Sequence, residues 1–120
     1  MHAPRYTHFD PQALLVDLFD NTEIVRTVLG TFENWHSSVQ NDLRTAAEAG
    51  NTARLSRIAH TLRGTLAQIH AAHAADMATA LELRCKAPAQ DFLPGPADIE
   101  ALQRELHAVA DEVADYLALP

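Results

Sequence analysis

The sequence predicts an all-α protein: an antiparallel four-helix bundle with a short N-terminal helix packed across one end. Three observations carry that expectation. Apolar residues recur at spacings of three and four through each long segment. No stretch alternates apolar and polar residues as a half-buried strand does. The joints between segments are short, apart from one proline-rich loop. At 120 residues the chain suits a single domain, 1–120, with one core.

Asp10-Pro11 opens the first helix as a cap followed by proline at the first helical position, with Leu14, Leu15, Leu18 and Phe19 on its apolar side. A second start lies at Asp20-Asn21-Thr22-Glu23. From there Val25, Val28, Phe32, Trp35, Val39, Leu43 and Ala46 make one long apolar stripe that ends at Gly50. Asn51 caps the third helix, expected to run to about His70 or Ala71 with Leu55, Ile58, Leu62, Leu66 and Ile69 inward. The fourth spans roughly His73 to Lys86, with Ala74, Met77, Leu81 and Cys85 inward. Pro88, Pro94, Gly95 and Pro96 mark the one substantial loop. Pro96 then starts a last helix with the stripe Ile99, Leu102, Leu106, Val109, Val113 and Tyr116, and with Glu100, Glu105, Asp111, Glu112 and Asp115 outside it.

Nine basic against sixteen acidic residues give a net charge of −7, which repels nucleic acid and anionic membrane over the surface as a whole. No apolar run approaches the roughly 18 residues of a membrane span, and no secretory leader pattern opens the chain, so a cytoplasmic protein is expected. The single cysteine, Cys85, has no intramolecular disulfide partner and is assigned to helix packing.

One side chain has an unusual address. At about 100° per residue, His60 lies opposite the apolar stripe of its own helix and should face water. Small residues surround it at one and two turns: Ala53, Ser56, Gly64 and Ala67. Arg57 and Arg63 flank it at three residues on either side, and with Arg54 they occupy a window, from Glu48 to Asp76, that contains no other carboxylate. A neutral imidazole is a nucleophile that can take up a phosphoryl group and surrender it, and both steps require exposure. Gly64, with no side chain, lets a partner approach the ring, at a cost of about 1 kcal/mol of helix stability. Arg63 could hold phosphoryl oxygens or be a solvated helix arginine.

Ala59-His60-Thr61-Leu62-Arg63-Gly64, together with Phe9-Asp10-Pro11 and Ala49-Gly50-Asn51, resembles the histidine-containing phosphotransfer domain of bacterial phosphorelays. The resemblance covers nearly the whole chain, and its specific part is the His-x-Leu-(Lys/Arg)-Gly core. It implies that His60, through the ring nitrogen farther from the backbone, accepts a phosphoryl group from a receiver-domain aspartyl phosphate and passes it to another receiver aspartate. It implies Arg63 as the cation beside the phosphoryl group and Gly64 as the access glycine. It also points to Glu82 on the following helix as the group holding the ring by its other nitrogen. Glu82 could equally be an ordinary exposed glutamate. The implied partners are a response regulator's receiver or a hybrid sensor histidine kinase, of which the domain could be the C-terminal piece in a membrane-bound protein. Mg²⁺ is expected on the receiver, with no cofactor in this domain, which should be a monomer. The chain departs from the family pattern with arginine at 63, threonine at 65, and His70 where a glycine usually stands. The last change puts the geometry of residues 68–73 in question.

Other constellations compete. A di-iron bundle needs two Glu-x-x-His pairs, and Glu33-Asn34-Trp35-His36 is the one pair in the sequence. His70 and His73, three apart, lack further ligands. The glycines at 30, 50, 64 and 95 are isolated, so no phosphate-cradling loop for ATP can be assembled and catalysis by the domain alone is not expected. The small-residue face around His60 also suits a docking module that transfers nothing.

Overall fold

The computed structural model describes residues 6–86 and 95–120. It contains α1 (Pro11–Asp17), α2 (Thr22–Glu48), α3 (Thr52–Gln68), α4 (Ala72–Lys86) and α5 (Pro96–Leu117), with no strand among the described residues. The helices α2 to α5 form the bundle, α3 packing on α2 and α4, and α5 closing on α2 and α4. Its long dimension is 51 Å. Pro88 and Pro94 of the expected loop lie outside the described residues.

Caps set the starts. The side chains of Asp10, Asn21 and Asn51 accept from the N–H groups of Ala13, Ile24 and Arg54 at 3.0, 3.1 and 3.0 Å. Asp98 accepts from Gly95 N–H at 3.1 Å at the start of α5. The ends use left-handed residues. Gly50 (φ 63°) stops α2, with Asn51 N–H bonded to the Ala46 carbonyl at 2.9 Å. His70 (φ 60°) does the same for α3, with Ala71 N–H on the Leu66 carbonyl at 2.8 Å. The helix therefore ends at Gln68, short of the expected His70 or Ala71, and the reversal that glycine would permit is made by histidine.

The core follows the stripes, with two corrections. Phe19, expected on the apolar side of α1, is 94% exposed, because the chain turns left-handed at Phe19 (φ 55°) and Asp20 (φ 60°) and leaves the helical face. Leu29, Ala59 and Ala78 join the buried set, widening the stripes, while Val28, Trp35, Ile58, Met77 and Cys85 are partly buried against it. Glu105 and Glu112, outside the α5 stripe as expected, are half-buried and secure the segment before α1. Glu112 accepts from Thr7 N–H and His8 N–H at 3.0 and 2.8 Å, and Glu105 pairs with His8 Nδ1 at 2.7 Å. Phe9, buried, packs edge-on against Tyr116 of α5 at 6.2 Å between ring centres. Asp17 meets His70 Nε2 at 2.6 Å, tying α1 to the turn between α3 and α4.

Ala59, Leu62 and Leu66, all fully buried, fix the rotation of α3 about its axis. Truncating either leucine to alanine removes about 2–5 kcal/mol of stability. That packing is what keeps the residue after Ala59 on the outside.

Candidate functional site

The His60 side chain is 61% exposed on the outer face of α3, as the stripe requires. Its Nδ1 lies 2.9 Å from Oε2 of Glu82 on α4. Glu82 is 5% exposed, and two cations share it with the ring: Arg63 Nε reaches Oε1 at 3.2 Å and Lys86 Nζ reaches Oε2 at 3.0 Å. A buried carboxylate is costly unless it is paired and hydrogen-bonded, and here hydrogen bonds from His60 and Lys86 and the ion pair with Arg63 meet that condition. The Lys86 hydrogen bond is the main influence holding the Glu82 carboxyl below its usual range, aided by His60 and Arg63 and opposed by burial. An ionised carboxylate only accepts, so His60 Nδ1 carries the proton it donates. In a neutral ring the lone pair is then on the opposite nitrogen, Nε2.

The surroundings suit an approaching partner. Gly64 is exposed, and a Cβ built on it meets no heavy atom within 4 Å. Ala53, Arg57 and Ala67 are exposed as well, and Ser56 is half-buried.

The carboxylate-free window of the sequence is not carboxylate-free in space. Arg54 pairs with Asp42 of α2 at 3.4 Å, and Arg63, expected beside the phosphoryl group, is engaged through Nε with Glu82. Among the described residues, Arg57 has no carboxylate within ion-pair distance. Lys86 is the site residue that sequence reasoning missed. The available signal was its spacing of four from Glu82, the separation at which a glutamate and a lysine meet on a helix.

The rival histidines disperse. His36 is partly buried between Phe32 and His107, 6.1 Å from each ring centre, and burial pushes its pKa down. His70 faces Asp17, and His73 is exposed. Among the described residues no group of three or more His, Cys, Asp or Glu side chains is placed to hold a metal ion. Among them, too, no helix is long and apolar enough to cross a membrane. Cys85 is partly buried against the core, and burial raises its thiol pKa.

The Hpt domain family matches residues 27–112, a span that contains His60, Arg63, Glu82 and Lys86. The crystal structure of histidine-containing phosphotransfer protein B (HptB) from Pseudomonas aeruginosa PAO1 superimposes with a TM-score of 0.77. Sequence identity is 24%, over 97% of this chain and 96% of that one, so the likeness is one of fold. No curated protein matches the chain.

Proposed function

The chain belongs to the Hpt domain family, and from that premise we propose that it is a phosphorelay carrier whose phosphoacceptor is His60. The lone pair on Nε2 attacks the phosphorus of an aspartyl phosphate held by a receiver domain. The new P–N bond forms as the P–O bond to the aspartate breaks, and that aspartate leaves as a carboxylate. Nδ1 keeps its proton, so the ring becomes positively charged, and the Glu82 carboxylate at 2.9 Å offsets the charge as it develops. In the second half-reaction another receiver's aspartate attacks the same phosphorus and the P–N bond breaks, returning the neutral ring.

The observation supporting this reading is the pairing of an exposed imidazole with a buried, ionised carboxylate at its inner nitrogen. Such a pair fixes the ring's tautomer and leaves the outer nitrogen for chemistry. Gly64, Ala53, Ala67, Ser56 and Arg57 form the surface on which the receiver docks. The receiver belongs to a response regulator or a hybrid sensor kinase and brings its own acidic residues and Mg²⁺. Arg63, engaged through Nε, keeps its terminal nitrogens for phosphoryl oxygens.

The test is to mix the protein with a phosphorylated receiver and compare the parent with His60→Gln. The parent acquires an acid-labile, base-stable label and the variant does not. Equal labelling of the variant overturns the assignment, and receiver binding with no label in the parent identifies a docking module instead.

A further inference from the structure

We infer that Lys86 is a positioning residue for the His60 ring, an inference that rests on reading His60 as the phosphoacceptor. Its ammonium and the ring N–H converge on one atom: Glu82 Oε2 lies 3.0 Å from Lys86 Nζ and 2.9 Å from His60 Nδ1. Lys86 itself is 61% exposed at the last position of α4, so it contributes little packing. Its contact is with the carboxylate that holds the ring.

Charge decides what that contact does. A carboxylate beside an imidazole serves two ends that conflict. It fixes the proton on Nδ1, and it also draws a second proton onto Nε2. The doubly protonated ring has no lone pair and cannot attack phosphorus. The charged groups flanking His60 among the described residues are Arg57 and Arg63 from α3, and Glu82 and Lys86 from α4. Arg63 alone neutralises Glu82 formally. Lys86 adds a second positive charge at the very oxygen the ring uses, so a further proton on the ring is repelled while the Nδ1–H hydrogen bond is kept. Lys86 thus lets Glu82 orient the ring while opposing a second proton on it.

The experiment uses the unphosphorylated protein first. With the His60 ring nitrogens followed by NMR across a pH titration, Lys86→Met is expected to move the midpoint to higher pH by roughly half a unit. Lys86→Arg restores it. In the acid limb of the pH–rate profile, phosphotransfer from a labelled receiver to Lys86→Met falls about threefold, the loss of neutral ring that half a unit represents. The rate at high pH returns to the parent's, which a merely structural role for Lys86 would not produce. A midpoint in Lys86→Met equal to or below the parent's overturns the inference. The NMR measurement involves no phosphorus, so failure of His60 to accept phosphate, seen with His60→Gln, is distinguished from failure of the Lys86 assignment.

Discussion

Arg63 Nε lies 3.2 Å from Oε1 of Glu82, the carboxylate whose other oxygen holds His60. The arginine one turn along from the histidine is therefore tied into the ring's support and can act on phosphate only from that position. Arg63→Ala removes an ion-pair partner from a buried carboxylate and should slow transfer roughly tenfold, the rate equivalent of about 1.4 kcal/mol. Arg54, paired at 3.4 Å with Asp42 between two substantially exposed side chains, is the control. Arg54→Ala should change the rate little. Equal losses in the two variants, measured with one labelled receiver, would reduce both arginines to general surface charge.

Glu82 separates stability from chemistry. Glu82→Gln keeps an acceptor for Nδ1–H but removes the negative charge that offsets a phosphorylated ring, so label should still be acquired and the phosphohistidine should decay faster. Glu82→Leu fills the buried volume with no charge to desolvate. It should leave thermal stability near the parent's while abolishing most transfer. A large drop in melting temperature for Glu82→Leu would mean that the carboxylate is there for the fold.

How far the sequence disclosed this site follows from the strength of each helix's pattern. On α3, Leu55, Leu62, Leu66 and Ile69 point one way so consistently that the outward address of His60 could be read directly. On α4 the buried face is largely alanine, and hydropathy misleads at its centre: Glu82 is buried while its neighbour Leu83 is 66% exposed. Hydropathy alone would not put a glutamate inside and a leucine outside, although the spacing of four from Ala74 through Ala78 leads to position 82. The resemblance of the His60 motif pointed to Glu82, the spacing of four was the signal for Lys86, and only spatial proximity brought Arg63 onto the carboxylate. The partners of Glu105 and Glu112 were hidden for a similar reason, because residues about one hundred positions away in the chain supply their donors.

The segment before α1 should be held in a pH-dependent way. The hydrogen bond to Glu105, at 2.7 Å, is the main influence raising the His8 pKa above its ordinary value. Because the folded value is the higher one, the stabilisation is fully present below about pH 6.5 and is lost as pH rises through the raised value. His8→Ala should therefore be less stable than the parent in urea near about pH 6, and the gap should close by about pH 9. At Glu112 burial opposes ionisation, but the N–H groups of Thr7 and His8 outweigh it and hold that carboxyl low. Its contribution is lost only as pH falls through the acid range, so the two limbs do not overlap. A His8→Ala gap independent of pH would show that the His8–Glu105 pair contributes nothing through its charge.

At position 70 a histidine occupies a left-handed conformation at φ 60°. His70→Ala and His70→Gly both lose the contact with Asp17, so the difference between them isolates the backbone. Glycine adopts this conformation without the Cβ clash, and His70→Gly should exceed His70→Ala in stability by about 1 kcal/mol. Chemical denaturation of the two variants measures it. Equal stabilities would mean that the turn after α3 rearranges in one of them.

Gly64 offers the sharpest separation of fold from function. A Cβ added there meets nothing within 4 Å, and the same holds at Gly30, which lies in α2. Both glycines are in helix interiors, so Gly64→Ala and Gly30→Ala should each stabilise the protein by about 0.5–1 kcal/mol. If the space over Gly64 belongs to an incoming receiver, enlarging the residue there should progressively slow transfer, with Gly64→Leu far slower than Gly64→Ala. Gly30→Leu should leave the rate untouched. Binding of an unphosphorylated receiver should weaken along the position 64 series in step with the rate, because the obstruction acts on approach and not on the ring. A Gly64→Leu variant that is more stable than the parent yet still transfers phosphate at the parental rate would show that no partner comes within a side chain's length of His60 from that side.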